Sequence, residues 1–179
     1  MQKMAQPAVR FTRADYDLLP EGMHVELIDG ELLKMAEPTV RHQEIARRLF
    51  VLFLAHVGEK RVFFGPLTFA IDEWNALVPD VLVMRESDIP GADAKDIKRA
   101  LVVAEVLSPS TVSRDRNVKV AKYMGQGVEE VWLLDPKKET VEVHAKSGAG
   151  KASGAEMVPS RALPDLKLEA AAEIGRAHV

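Results

Sequence analysis

The sequence predicts an α/β fold, a mixed β-sheet flanked by helices with an N-terminal β-hairpin, and three observations carry that prediction. The run Leu101–Leu107 is apolar throughout except for Glu105, as suits a strand covered on both faces. After Thr39, residues Ile45, Leu49, Leu52, Phe53 and His56 form the core-facing stripe of an amphipathic helix. Along the chain, helix, several strands, helix and strand hairpin follow one another, an order that packs helices onto a sheet.

Taken in order, Thr12 is placed to cap a short helix over residues 13–19, with Asp15 three residues on completing a capping box. Pro20-Glu21-Gly22 stops it. Residues 23–27 alternate, and Asp29-Gly30 is a two-residue type I′ turn signal leading into residues 31–35. Glu26 and Glu31 then lie on facing strands, where acids generally meet solvent. In the helix opened by Thr39, His42 sits three residues before Ile45 on the same stripe, in the first turn. A histidine there is more often a hydrogen-bonding residue than a catalyst.

Residues 61–64 and 67–71 read as strand, interrupted at Gly65-Pro66. Residues 72–76 turn, and 77–84 form one strand bearing Asp80. Pro79 inside it implies an edge or a bulge that aims Asp80 out of the ladder. Residues 85–99, with Pro90, Gly91 and many charges, form a loop near the site, of the kind that carries specificity. Ser110 or Thr111 can cap the next helix, in which Asp115, Lys119, Lys122 and Tyr123 precede the closing Gly125 and Gly127. Residues 130–134 form a buried strand, and 135–138 turn it into 140–144. Residues 146–155, rich in Gly, Ser, Ala and Lys, are expected to be mobile. The tail, 156–179, brings an extended piece at 163–168 and an Ala-rich helix at 169–174.

At 179 residues the chain has room for one domain, 1–179, and not comfortably for two. With no cysteine, disulfides and thiolate metal sites are excluded. Met1–Arg10 lacks an apolar core of signal-peptide length, and the longest apolar run, 49–57, contains His56 and falls far short of a membrane span. The expectation is a soluble cytoplasmic protein. A net charge of −3 and pI near 6.0 argue mildly against DNA, whose binding is largely phosphate neutralisation. Arg41, Arg47, Arg48, Lys60 and Arg61 cluster in sequence, either as a basic patch or as a solvated helix face.

The chemistry concentrates between Pro79 and Tyr123. Two apolar runs each carry one carboxylate, Asp80 and Glu105, and a charge in a covered strand is costly unless it is paired or holds a metal. Acids on neighbouring strands can converge on a hard cation such as Mg²⁺, which takes carboxylate oxygens with water and phosphate. A lysine from the following helix would add a point charge on a developing phosphorane or on the attacking water. Plainer readings stand beside this one. Asp80 can be a turn residue, Glu105 can bond an arginine, and Asp115 with Lys119 can be a surface i,i+4 pair.

The segments Pro79-Asp80, Glu105-Val106-Leu107-Ser108-Pro109-Ser110-Thr111, Asp115-x-x-x-Lys119, Tyr123 and Val131–Asp135 occur in this order. Upstream stand Val25–Leu32 and His42-Gln43. Together they resemble the family called "putative restriction endonuclease", once a domain of unknown function, within the PD-(D/E)xK nuclease superfamily. The resemblance spans about residues 11–145. It implies a restriction-endonuclease-like core and matches Asp80 and Glu105 to the superfamily's two metal-binding acids. The superfamily's lysine usually stands two residues after the second acid, where this chain has Leu107. The resemblance instead puts the lysine at Lys119, not Lys122, on the next helix. It also favours Glu26 over Glu31 as a supporting acid, and His42, Asp115 and Tyr123 as supporting residues.

The function expected on these grounds is metal-dependent hydrolysis of nucleic-acid phosphodiesters, a DNA endonuclease using Mg²⁺ or Mn²⁺ on Asp80 and Glu105 with Lys119 assisting. The alternative is a catalytically inactive nucleic-acid-binding or regulatory module on the same fold. A homodimer is expected, since duplex cleavage needs two active sites or two visits and twofold pairing is the commonest assembly.

Overall fold

The computed structural model describes residues 9–170 and Ile174. The Ala-rich helix expected at 169–174 falls largely outside the described residues, as does most of Met1–Arg10. Helix α1 (Arg13–Asp17) begins with the expected capping box, in which Thr12 and Asp15 bond each other's backbone N–H. Strands β1 (Val25–Ile28) and β2 (Glu31–Lys34) form the N-terminal hairpin. Its turn holds Asp29 at φ 52° and Gly30 at φ 80°, as a type I′ turn requires. Glycine is needed at the second position for a further reason: a Cβ there would lie 2.9 Å from the Arg10 guanidinium.

Helix α2 (Val40–Val57) is capped by Thr39 and buries Ile45, Leu49 and Phe53. His56, expected on that stripe, is exposed instead, while Val57 beside it packs against the core. Strands β3 (Val62–Phe64) and β4 (Thr68–Asp72) follow, then β5 (Asn75–Leu77) and β6 (Val81–Val83). The single strand expected over 77–84 is thus two strands, and they belong to different sheets. Strand β5 lies in a five-stranded sheet with order β2-β1-β5-β4-β7, and β6 in a six-stranded sheet with order β11-β10-β9-β8-β6-β3. Pro79 cannot donate to a ladder, so the chain changes sheets across Val78-Pro79-Asp80. The one mixed sheet of the sequence reading is therefore a pair of mixed sheets.

The loop expected over 85–99 contains a 3₁₀ turn at Glu86–Asp88 and β7 (Asp96–Ile97), which pairs parallel to β4. Strand β8 (Val102–Val106) lies between β6, antiparallel, and β9 (Glu130–Asp135), parallel. Between β8 and β9 runs the helical segment α3, residues 112–125. Strand β10 (Thr140–Ala145) pairs on one side with β9 and on the other with β11 (Gly148–Ser153). The mobile linker expected over 146–155 is thus mostly an edge strand. Its ladder uses backbone groups, which Gly-Ala-Gly supplies as well as any sequence.

Both faces of the six-stranded sheet are covered. On one, Ile45, Leu49 and Phe53 pack on Val81, Val102, Ala104 and Trp132, with Phe53 edge-on to Trp132 at 5.3 Å. On the other, Leu82, Val103 and Leu133 meet Tyr123 of α3 and Phe69 of the second sheet, whose rings stand edge-on at 5.4 Å. Truncating a fully buried ring such as Phe53 to alanine costs roughly 3–5 kcal/mol. This double cover explains the continuous apolar run of β8. It also places Glu105, one residue in five of that strand, in a dry environment beneath α3.

Candidate active site

The sheet change at Val78–Asp80 sets the site. The register that pairs Val81 with Ala104 carries Asp80 toward Glu105. Asp80 Oδ2 accepts a hydrogen bond from the Val106 N–H at 2.7 Å and lies 3.2 Å from His42 Nε2 at the start of α2. Strand β8, the sheet crossing and the first turn of α2 therefore meet at one carboxylate.

Beneath it, Lys119 is the hub of a buried cluster. Its Nζ lies 2.8 Å from Glu26 Oε1, 3.2 Å from Glu105 Oε1 and 3.5 Å from Asp115 Oδ1. The last is an ion pair without a hydrogen bond. Tyr123 Oη donates to Glu105 Oε1 at 2.8 Å, and Glu26 Oε1 also accepts from the Val78 N–H at 2.9 Å. Glu26, Glu105, Asp115 and Lys119 are each 2–5% exposed. Asp115 and Lys119 are thus no surface pair. Lys122, by contrast, pairs with the exposed Asp29 in the hairpin turn, away from this cluster.

Local backbone geometry serves the hub. Segment α3 is α-helical over Val112–Arg114 and Val120–Gly125, but over Asp115–Lys119 it widens into a π-turn. Such turns are rare and concentrate at functional sites; here the widened turn holds the two buried ionic residues. Neither Ser110 nor Thr111 caps α3 through its side chain. Thr111 Oγ1 donates instead to Asp115 Oδ2 at 2.6 Å, and Ser108 Oγ lies 2.9 Å from Thr111 Oγ1 and 3.1 Å from Ser110 Oγ. Since the Thr111 proton goes to the carboxylate, Ser108 donates to Thr111 and Ser110 to Ser108. The loop after β8 is tied to the cluster through three hydroxyls.

The charges are unbalanced. Burial pushes the Glu105 carboxyl well above its usual range; Lys119 opposes this, while Asp80, Asp115 and Glu26 reinforce it. Burial works against the Lys119 ammonium, but Glu105, Glu26 and Asp115 together outweigh it and hold the lysine protonated far above its ordinary value. Burial, with the negative charge of Glu105, raises the Tyr123 phenol, which therefore stays a hydrogen-bond donor. For His42, burial is outweighed by the hydrogen bond to Asp80 together with the charges of Asp80 and Asp115 and the Val106 backbone, and the imidazole titrates above its usual range.

The donor chemistry fits a hard divalent cation. Glu105 uses Oε1 for both its partners and Asp80 uses Oδ2 for both of its own. Glu105 Oε2 and Asp80 Oδ1 make no hydrogen bond to a described residue. Two carboxylates supplemented by water and substrate oxygens are a usual Mg²⁺ set. Among the described residues no group of three or more His, Cys, Asp or Glu is arranged to hold a metal ion by itself.

Sequence reasoning missed two pieces. The bond from Val78 N–H to Glu26, which ties the hairpin to the sheet crossing, joins residues 52 apart and has no local signal. Arg116, beside Asp115, pairs with Asp135 and Glu142 and fastens α3 to the β9–β10 hairpin. The acid and base spacing of residues 116, 135 and 142 was visible, but not which pairs would meet.

No helix among the described residues is long and apolar enough to cross a membrane. The fold is similar to the crystal structure of a protein titled a putative nuclease belonging to DUF820, from Anabaena variabilis ATCC 29413. That match has a TM-score of 0.82 and 22% identity, and covers 92% of this chain and 97% of the other. No curated protein matches the chain. The model of the Uma2 family, described as "Putative restriction endonuclease", matches residues 13–172, which include every residue of the cluster. The chain belongs to the Uma2 family.

Proposed function

We propose that this protein is a metal-dependent phosphodiesterase that cleaves DNA, with Mg²⁺ or Mn²⁺ held by Asp80 and Glu105. The family description and the nuclease title of the similar structure support phosphodiester chemistry. The observation that carries the finer reading is the state of Glu105. It is buried beside Asp80, is fixed through one oxygen by Lys119 and Tyr123, and keeps the other without a partner among the described residues.

A bound ion supplies water activation and neutralisation of the leaving oxygen. The chain's own residues do the rest. Glu26, Glu105 and Asp115 hold Lys119 rigid and charged, so its ammonium needs no reorganisation when negative charge develops on phosphorus. Tyr123 fixes the rotamer of Glu105, and His42 with the Val106 N–H fixes that of Asp80. The lysine arrives from α3 rather than from β8, whose Leu107 is buried in the core.

The test is a cleavage assay with Mg²⁺ and with Mn²⁺ on single-stranded, double-stranded and branched DNA and on RNA. Metal-dependent cleavage of DNA, abolished in Glu105→Ala, is expected. DNA binding without cleavage under every condition would leave the inactive binding module as the correct reading. The protein is further proposed to act as a homodimer; full activity from a species that sediments as a monomer at micromolar concentration would refute that.

A further inference from the structure

Segment α3 carries four cations, Arg114, Arg116, Lys119 and Lys122. Three are consumed by acids of the same chain: Arg116 by Asp135 and Glu142, Lys119 by the buried cluster, and Lys122 by Asp29. Arg114 makes no hydrogen bond or ion pair to any described residue, although its side chain is half-buried and its Nη1 lies out of contact with solvent. An unpaired, desolvated guanidinium N–H is costly, and such an atom calls for an explanation. In a protein with an excess of acids, this half-buried cation meets no acid among the described residues.

Its place matters as much as its state. Arg114 stands in the turn bounded by Thr111 and Asp115, which the Thr111–Asp115 hydrogen bond closes. Asp115 in turn contacts Lys119, so one turn of helix joins Arg114 to the hub. The three hydroxyls of the preceding loop all donate toward Asp115, so they offer an incoming anion few protons. The guanidinium is the group there with donors to spare. Its planar fork matches two oxygens of a phosphate.

We propose that Arg114 binds a backbone phosphate of the DNA substrate adjacent to the one cleaved. This rests on the nuclease reading and adds to it a residue that positions the strand. It also bears on the acidic net charge: affinity would come from a few placed cations rather than from a basic surface.

The test is fluorescence anisotropy of a labelled 20-base-pair DNA duplex of arbitrary sequence, titrated with full-length protein in Ca²⁺ across a range of salt. Wild type, Arg114→Gln and Arg114→Lys are compared, with thermal melting as the control for folding. Losing one phosphate contact should lower the slope of log affinity against log salt by about 0.9, and weaken binding about tenfold on any sequence. Arg114→Lys should recover most of the salt slope and part of the affinity. In the cleavage assay Arg114→Gln should raise KM far more than it lowers kcat. An unchanged slope and affinity in folded Arg114→Gln, with wild type binding the duplex, would overturn the role of Arg114 alone. Wild type that binds no DNA would overturn the nuclease reading and this inference with it.

Discussion

Two buried carboxylates in adjacent strands behave in opposite ways. Glu130 at the start of β9 is satisfied on both oxygens. Oε1 accepts from the N–H groups of Arg161 and Ala162, at 2.6 and 3.0 Å, and Oε2 from Trp132 Nε1 and Ser160 Oγ, at 3.0 and 2.8 Å. It pins the C-terminal segment onto the sheet with neutral donors. Glu105 in β8 has comparable burial, yet one of its oxygens is crowded and the other makes no hydrogen bond to a described residue, and three more carboxylates surround it. The first arrangement is complete within the chain. On the proposed reading, a bound cation would complete the second. What separates a structural buried acid from a functional one is therefore its hydrogen-bond balance, not its burial.

The largest effect expected from breaking this comparison is at the hub. Lys119→Met strands Glu26, Glu105 and Asp115 without their ammonium, which should destabilise the fold by about 3–5 kcal/mol at neutral pH. Chemical denaturation should show the deficit shrinking as pH falls, because the stranded acids can then take up protons. Turnover should fall by roughly 10²-fold or more in whatever protein remains folded.

Next is Glu130→Ala, which leaves four donors without their acceptor. At about 1 kcal/mol each, the loss should reach about 4 kcal/mol, or some 8–16 °C in melting temperature. Metal affinity and the kinetics of the folded fraction should be unchanged. A Glu130→Ala variant that melts normally but loses metal would reverse the assignment of the two acids.

A smaller effect separates α3's outer anchor from its hub. Arg116 helps hold Asp135 and Glu142 below the usual carboxylate range: desolvation opposes this in both, and is outweighed by the hydrogen bonds and charge of Arg116 together with the Lys137 and Lys138 N–H groups at Asp135 and the charge of Lys151 at Glu142. Since both folded-state values are depressed, their stabilisation is present above the ordinary carboxylate range and is lost as pH falls through the depressed values. Arg116→Leu should therefore cost at most about 1 kcal/mol at pH 7, because these groups are partly solvent-screened. Its melting temperature should fall less steeply with acid than that of wild type. Smallest of all, Lys122→Met removes a surface pair with Asp29 and should stay within about 0.5 kcal/mol of wild type, with unaltered turnover.

The two acids also differ in how legible they were. Glu105 interrupts an apolar strand, an anomaly visible in the residues themselves, and its relation to Asp80, Lys119 and Tyr123 is what the family resemblance implies. Glu130 opens an apolar strand in the same way but drew no notice, because three of its four donors lie about 30 residues downstream in an irregular segment. The hairpin turn, the capping box and α2 were readable because their signals are local. The sheet change at Pro79 was not: a proline reports a missing donor and leaves open whether the chain bulges or leaves the sheet. Strand β11 was hidden for the complementary reason, since a ladder of backbone bonds leaves no mark on a glycine-rich sequence.

The central claim is that Glu105 with Asp80 is completed by a divalent cation, and calorimetric titration of Mn²⁺ into wild type and Glu105→Ala addresses it most directly. Running it in two buffers of different ionisation enthalpy also counts protons. The raised Glu105 carboxyl predicts that Mn²⁺ binding by wild type is accompanied by net proton release and strengthens as pH rises. Glu105→Ala, in which Lys119 keeps Glu26 and Asp115 as partners, should still fold and should bind no Mn²⁺. Retention of wild-type Mn²⁺ affinity in Glu105→Ala would contradict the account.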